Sequence, residues 1–149
     1  MGAGIWNLRC RLRGRRYALR NCTGNAAIEF ALVAPVFLLF LMGIISYGGY
    51  FWLAHNIQEL ANDSARAAVG GLTATERSSL AASSFTSQVG AYGVLTPAKA
   101  NVVYSGSLQN FTVSISYDAS SSGFWAISGL IPMPSSTIVR SAAIRLGGY

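Results

Sequence analysis

From Phe30 to Ala54 the chain runs for 25 residues without a charged side chain, interrupted by a single proline, Pro35. No other stretch constrains the fold as strongly. At a helical rise of ~1.5 Å per residue the run is about 37 Å long. That covers a hydrocarbon core of about 30 Å with room for tilt. The expectation is one membrane crossing, about residues 28–54, with a basic leader before it and a more polar segment after it.

The charge distribution supports that division. Arg9, Arg11, Arg13, Arg15, Arg16 and Arg20 all precede Gly24, and no acid lies among them. Beyond Gly24 five basic residues face five acidic ones, so the net charge of +6 belongs to the leader. Nucleic-acid binding would need basic side chains presented on a folded surface. Arginines beside a first hydrophobic span instead hold that end in the cytoplasm. The orientation expected is N-terminus inside and C-terminal part outside, with no nucleic-acid partner.

Residues 1–24 read as a basic cytoplasmic leader, with glycines at 2, 4 and 14 breaking any regular pattern. The apolar run is longer than the 7–15 residues of a secretory signal and ends in Ile-Ile-Ser-Tyr-Gly-Gly-Tyr, without a small-x-small cleavage site. The span is therefore expected to stay attached. Cys10 and Cys22 both lie in the leader, so no intrachain disulfide can staple the exported part.

A long helix is expected over residues 25–69, about 68 Å at ~1.5 Å per residue. Pro35 removes one backbone hydrogen bond and should kink it. Tyr47, Tyr50, Phe51 and Trp52 suit the outer membrane interface, although ordinary packing would use the same residues. Gly48-Gly49 reads as a soft point. Beyond the span, Ile57, Leu60, Ala61, Ser64, Ala65, Ala68 and Val69 recur at helical spacing, and Asp63 and Arg66 form an i,i+3 pair of useful sign. Gly70-Gly71 is a fitting stop. The alanine-rich outer half needs a surface to pack on, supplied by the C-terminal segment or by another copy.

Residues 70–149 read as a small extracytoplasmic α+β unit. Thr73-Ala-Thr-Glu76 has the pattern of a capping box, opening a short helix through Leu80, Ala81, Phe85 and Val89. Strands are expected over Asn101–Ser105, Phe111–Asp118 and Ser136–Leu146. In the second, Phe111, Val113, Ile115 and Tyr117 alternate cleanly with polar residues. In the third, Ile138, Arg140, Ala142, Ile144 and Leu146 share a side. Phe124–Pro134, apolar but broken by Gly129, Pro132 and Pro134, reads as a packed loop. The fold class is α+β: a long N-terminal transmembrane helix continuing outside the membrane, a short helix and a small antiparallel sheet.

Signatures of catalysis are nearly absent. His55 is the single histidine, at the outer end of the span, where it is more often an interfacial polar residue than a ligand or base. No His or Cys spacing suits a metal. Glu76 and Asp118 have no reason in the sequence to converge, and no nucleophile elbow or phosphate-cradling loop occurs. The chain is expected to be no enzyme, with no catalytic residue, cofactor, metal or small-molecule substrate.

Glu29 stands apart as the only carboxylate in the first 58 residues, immediately before the apolar run. An acid at mid-membrane costs roughly 2.5–3.5 kcal/mol, and less near the interface. Glu29 could lie among headgroups near a helix N-terminus, where the dipole favours negative charge. It could instead be buried against a cation. A cut after Gly24 would create one, the α-amino group of Asn25, a helical turn from Glu29 in its own chain and reachable from an adjacent copy.

Gly24, the four residues Asn25 to Ile28, then Glu29-Phe30 and the apolar run resemble the processing motif of type IV pilin-like proteins. Gly-Asn-Ala-Ala-Ile-Glu-Phe-Ala-Leu-Val-Ala-Pro resembles the TadE-like family of minor pilins, or pseudopilins, of the tight-adherence pilus system. The resemblance extends from Gly24 to Val69, and the chain's length fits the small members that lack a large adhesive domain. It implies cleavage between Gly24 and Asn25 by a membrane prepilin peptidase, at a glycine that lets a protease approach the backbone closely. It further implies that Glu29, with Phe30 beside it, registers subunits by pairing with a neighbour's Asn25 amine. The expected partners are membrane lipid, the peptidase, other pilins and Tad assembly proteins. The expected location is a bacterial inner membrane, crossed once, with incorporation in a surface pilus. The rival expectation is a single-span anchor presenting a small extracytoplasmic binding or sensing module. An ordinary secreted enzyme or toxin fits poorly, lacking both a cleavage site and catalytic residues.

Overall fold

The computed structural model describes residues 23–93, 95–106 and 109–145, with side chains from residue 26 onward. The arginine-rich leader and both cysteines lie outside the described residues. Helix α1 spans Thr23–Ala67, and a 3-10 turn over Ala68–Gly70 follows it. Helix α2 spans Ala74–Val89. Strands β1 (Ala100–Gly106), β2 (Asn110–Asp118) and β3 (Thr137–Arg145) complete the order. They form one antiparallel sheet in the order β1-β2-β3. This is the α+β arrangement expected from the alternation and helical spacing.

Contacts divide the chain into two units, residues 1–36 and 37–149. In the first, the described part is the opening of α1, whose side chains are exposed from Ala26 to Val36 except for half-buried Ala34. Its helix is favoured by Ala26, Ala27, Ala31 and Leu32, and it runs through Pro35. α1 is the one helix, among the described residues, long and apolar enough to cross a membrane, and its most apolar window is fully exposed. A single-pass membrane protein fits that surface.

The second unit has one core. Leu53, Ile57, Leu60, Ala61, Ser64 and Ala65 on α1, continued by Ala68 of the 3-10 turn, recur at three- and four-residue intervals and are buried. Facing residues come from β2, where Phe111, Val113, Ile115 and Tyr117 are buried while Thr112, Ser114 and Ser116 point to the other face. Ile138 and Ala142 of β3, Ala81 and Val89 of α2, and Leu95 close the cluster. Register places Val102 opposite Ile115 and Tyr104 opposite Val113, and pairs Phe111 with Ile144 and Tyr117 with Ile138. Full burial of each large apolar side chain contributes about 1.5–3 kcal/mol. The Tyr117 hydroxyl, carried inside with its ring, accepts from Thr96 N at 3.2 Å, which removes the cost of an unpaired buried oxygen.

Several local readings are refined. The helical spacing extends to Val69, but the α-helix ends at Ala67 and tightens into the 3-10 turn, which leaves Val69 60% exposed. Thr73 caps α2 by accepting from Glu76 N at 3.2 Å, while Glu76 reaches back one residue further than a capping box requires, accepting from Leu72 N at 2.9 Å. Leu80 faces outward, and the buried stripe of α2 runs through Ala81 and Val89 with Phe85 half-buried between them. Gly71 is needed for close approach, since a Cβ there would lie 2.7 Å from Arg77 N.

Ser64 is the exception within the core. Its hydroxyl is fully buried and, among the described residues, is the buried side-chain oxygen without a hydrogen-bond partner. An unsatisfied buried hydroxyl costs about 1–3 kcal/mol, and Ala is also the better helix former. Ser64→Ala is therefore expected to stabilise the unit by about 1 kcal/mol. Protease resistance of the detergent-solubilised chain across a urea series measures this. A lowered midpoint would show that the hydroxyl has a stabilising role.

Candidate processing and assembly site

Gly24, Asn25, Glu29, Phe30 and Pro35 all fall on α1, because the helix already begins at Thr23. Gly24 and Asn25 occupy its first turn. Glu29 lies four residues after Asn25, a spacing that puts their Cβ positions about 5–6 Å apart on one helix face. The first turn contains no acidic residue, so Glu29 stands beyond the region where the helix dipole acts strongly. Phe30, 72% exposed, and the exposed Ile28, Leu32 and Val33 surround it with open apolar surface. Pro35 has no N–H to offer the carbonyl of Ala31 one turn earlier. Among the described residues, no three His, Cys, Asp or Glu side chains converge as a metal site would require.

The outer unit offers two recesses. One is a polar cleft of about 300 Å³ lined by Glu59, Asn62, Asp63, Arg66 and Tyr92. Burial, the neighbouring charges of Asp63 and Glu59, and a hydrogen bond to Asp63 raise the Tyr92 phenol above its ordinary pKa. The expected Asp63–Arg66 pair does not form. Among the described residues His55 Nε2 lies 3.2 Å from Glu59 Oε1, one turn apart on exposed surface, a type of contact worth at most about 1 kcal/mol. Asp63 lines the cleft with Tyr92, 29 positions away in sequence and invisible to helix-spacing rules. Gln58 Nε2 donates to Asn62 Oδ1 at 3.3 Å and to the β3 carbonyl of Ser141 at 3.1 Å, tying α1 to the sheet edge. At the far end of β2, Ser120 N–H donates to Asp118 at 2.9 Å and holds that carboxyl below its ordinary pKa. The residues of this cleft make a polar surface.

The second recess is apolar, about 520 Å³, between α1 and the loop after β2. The loop, expected to be packed, meets α1 through particular contacts, but none of residues 124–134 is buried. The Phe124 ring sits where a Cβ on Gly49 would stand, at 2.2–2.6 Å from three ring atoms. Gly49 is thus a notch in an unbroken helix rather than a soft point. Trp125 meets Tyr50 edge-on at 6.0 Å, and its Nε1 donates to the Pro134 carbonyl at 3.3 Å. The Tyr47 hydroxyl donates to the Pro132 carbonyl. The aromatic group at the end of the span therefore divides: Tyr50 packs against the core, while Phe51 and Trp52 stay exposed.

Residues 24–66 match the family model of TadE-like protein. The matched segment begins at Gly24 and ends on the outer half of α1, so it contains all five residues above. That is under a third of the chain, a likeness of α1 to this family. No curated protein and no solved structure matches the chain.

Proposed function

We propose that this chain, TadE-like over residues 24–66, is a non-enzymatic minor pilin, or pseudopilin, that takes part in assembling an adhesive Tad-type pilus. A prepilin peptidase removes the leader between Gly24 and Asn25 on the cytoplasmic side. The mature chain stays in the inner membrane through α1, with its C-terminal unit outside, before joining other pilins and Tad assembly proteins. Residues 1–24, 25–69 and 70–149 then act as leader, anchoring and assembly helix, and extracytoplasmic unit. The observation that carries this reading is the coincidence of the family match with Gly24 and Glu29 on one exposed, lipid-compatible helix.

Processing depends on a residue with no side chain at the scissile position. Gly24→Phe is expected to leave the full-length precursor in the membrane, with loss of at least about 90% of the mature form, an obstruction of backbone approach. Immunoblotting for the leader-bearing and mature species in cells with an active peptidase tests it. Normal maturation of Gly24→Phe would contradict the assignment of the cleavage site.

A further inference from the structure

The loop after β2 carries no charge between Asp118 and Arg140, and its tip lies against the part of α1 that the sequence places in lipid. Ile131 packs over Gly43, its Cδ1 at 3.6 Å from where a Cβ would be. Gly43 precedes Tyr50 by seven residues, about 10 Å along a helix. Tyr50, Phe51 and Trp52 of α1, joined by Trp125 from the loop, make an aromatic group of the kind found at a membrane interface. The loop tip therefore reaches past the aromatic level toward the interior of the span. There it exposes rather than hides its apolar surface: Leu130 is 76% exposed, beside Phe40 at 71% and Ile44 at 69%.

Irregular backbone is tolerated at such depth only where the protein pairs its polar groups. This loop does so. Leu130 N and Ile131 N both donate to the Ile127 carbonyl, at 2.9 and 3.1 Å. Pro132 and Pro134 have no N–H, and their carbonyls accept from Tyr47 and Trp125.

We infer that residues 124–134 are a second membrane-embedded element, whose tip Leu130–Pro132 inserts beside α1 and seats acyl chains of the outer leaflet in the groove with Phe40, Gly43 and Ile44. This inference rests on the proposed membrane placement of α1. It gives the outer unit a second attachment, so that the unit is held at the bilayer surface instead of swinging on a single helix. Insertion of about 5–10 Å is the depth at which interfacial elements bury apolar surface.

The test uses the full chain with Cys10 and Cys22 replaced by Ser, reconstituted in vesicles of phosphatidylethanolamine and phosphatidylglycerol. A fluorescent probe is attached in Leu130→Cys, Phe40→Cys and Val103→Cys variants, the last on the exposed face of the sheet. Quenching by acyl-chain nitroxide lipid at Leu130 is expected within about two-fold of that at Phe40 and about five-fold above that at Val103. Quenching at Phe40 with none at Leu130 would overturn the inference and leave the span intact. Absence of quenching at all three sites would overturn both, since α1 itself would then lie outside lipid. A Leu130 probe shielded from lipid and from aqueous quencher alike would also overturn it, placing a second copy of the chain in the groove.

Discussion

Glu29→Ala is expected to leave cleavage after Gly24 intact while removing the chain from assembled pili. Cleavage depends on the glycine and the backbone before Asn25, whereas Glu29 lies one turn further along α1. The new α-amino group of Asn25 has an ordinary pKa of about 7.7–8.0, so it is largely cationic at neutral pH. An acid set among exposed apolar side chains such as Phe30 and Leu32 needs such a cation when a neighbouring helix excludes water. Removing one partner of a buried pair costs about 3–5 kcal/mol. At about 1.4 kcal/mol per factor of ten, that weakens each subunit contact by about two to three and a half orders of magnitude. Intact mass of the membrane form and immunoblotting of sheared pili separate the two effects. Glu29→Asp, which keeps the charge, should retain part of the assembly. Wild-type incorporation of Glu29→Ala would show that the acid has no part in registration.

Phe111→Ala should be the most damaging single truncation of the outer unit. Phe111 is 1% exposed on the central strand, opposite Ile144 on one side and Gly106 on the other. A Cβ on Gly106 would stand 2.9 Å from the Phe111 ring, so the ring occupies the space the glycine leaves. A buried Phe→Ala change costs about 3–5 kcal/mol through lost burial and the cavity left behind. Domains of this size hold about 5–15 kcal/mol in total, so much of the stability would go. Urea-dependent protease resistance of the solubilised full chain reads the loss. A change of less than about 1 kcal/mol would mean that the core is centred elsewhere or collapses readily.

Where a local period governed the structure, the sequence was legible. The two-residue alternation of Phe111 to Asp118 identified the central strand and its buried face, since a half-buried strand permits no other pattern. The outer half of α1 was readable for the same reason, from Leu60, Ala61, Ser64 and Ala65 at helical spacing. The candidate site residues came from the motif resemblance between Gly24 and Pro35, a stretch that lies on a single helix. Contacts that close over long separations were not. Tyr47 and Pro132 lie 85 positions apart, and Gln58 and Ser141 lie 83 apart. No spacing rule relates such pairs. Gly49 suggested a weak point because glycine lowers helix propensity, yet its missing side chain is used for the approach of Phe124. Asp63 and Arg66 had the spacing of an ion pair, but they line a cleft with Tyr92 without pairing.

The central claim is that this helix becomes an assembly element when its leader is cut away. Intact-mass analysis with N-terminal sequencing, on chain extracted from membranes of cells expressing the prepilin peptidase, tests that claim most directly. The predicted result is a mature chain beginning at Asn25, free of all six leader arginines and both cysteines. A chain still beginning at Met1 beside the active enzyme would contradict the account and leave a single-span anchor carrying a small folded unit.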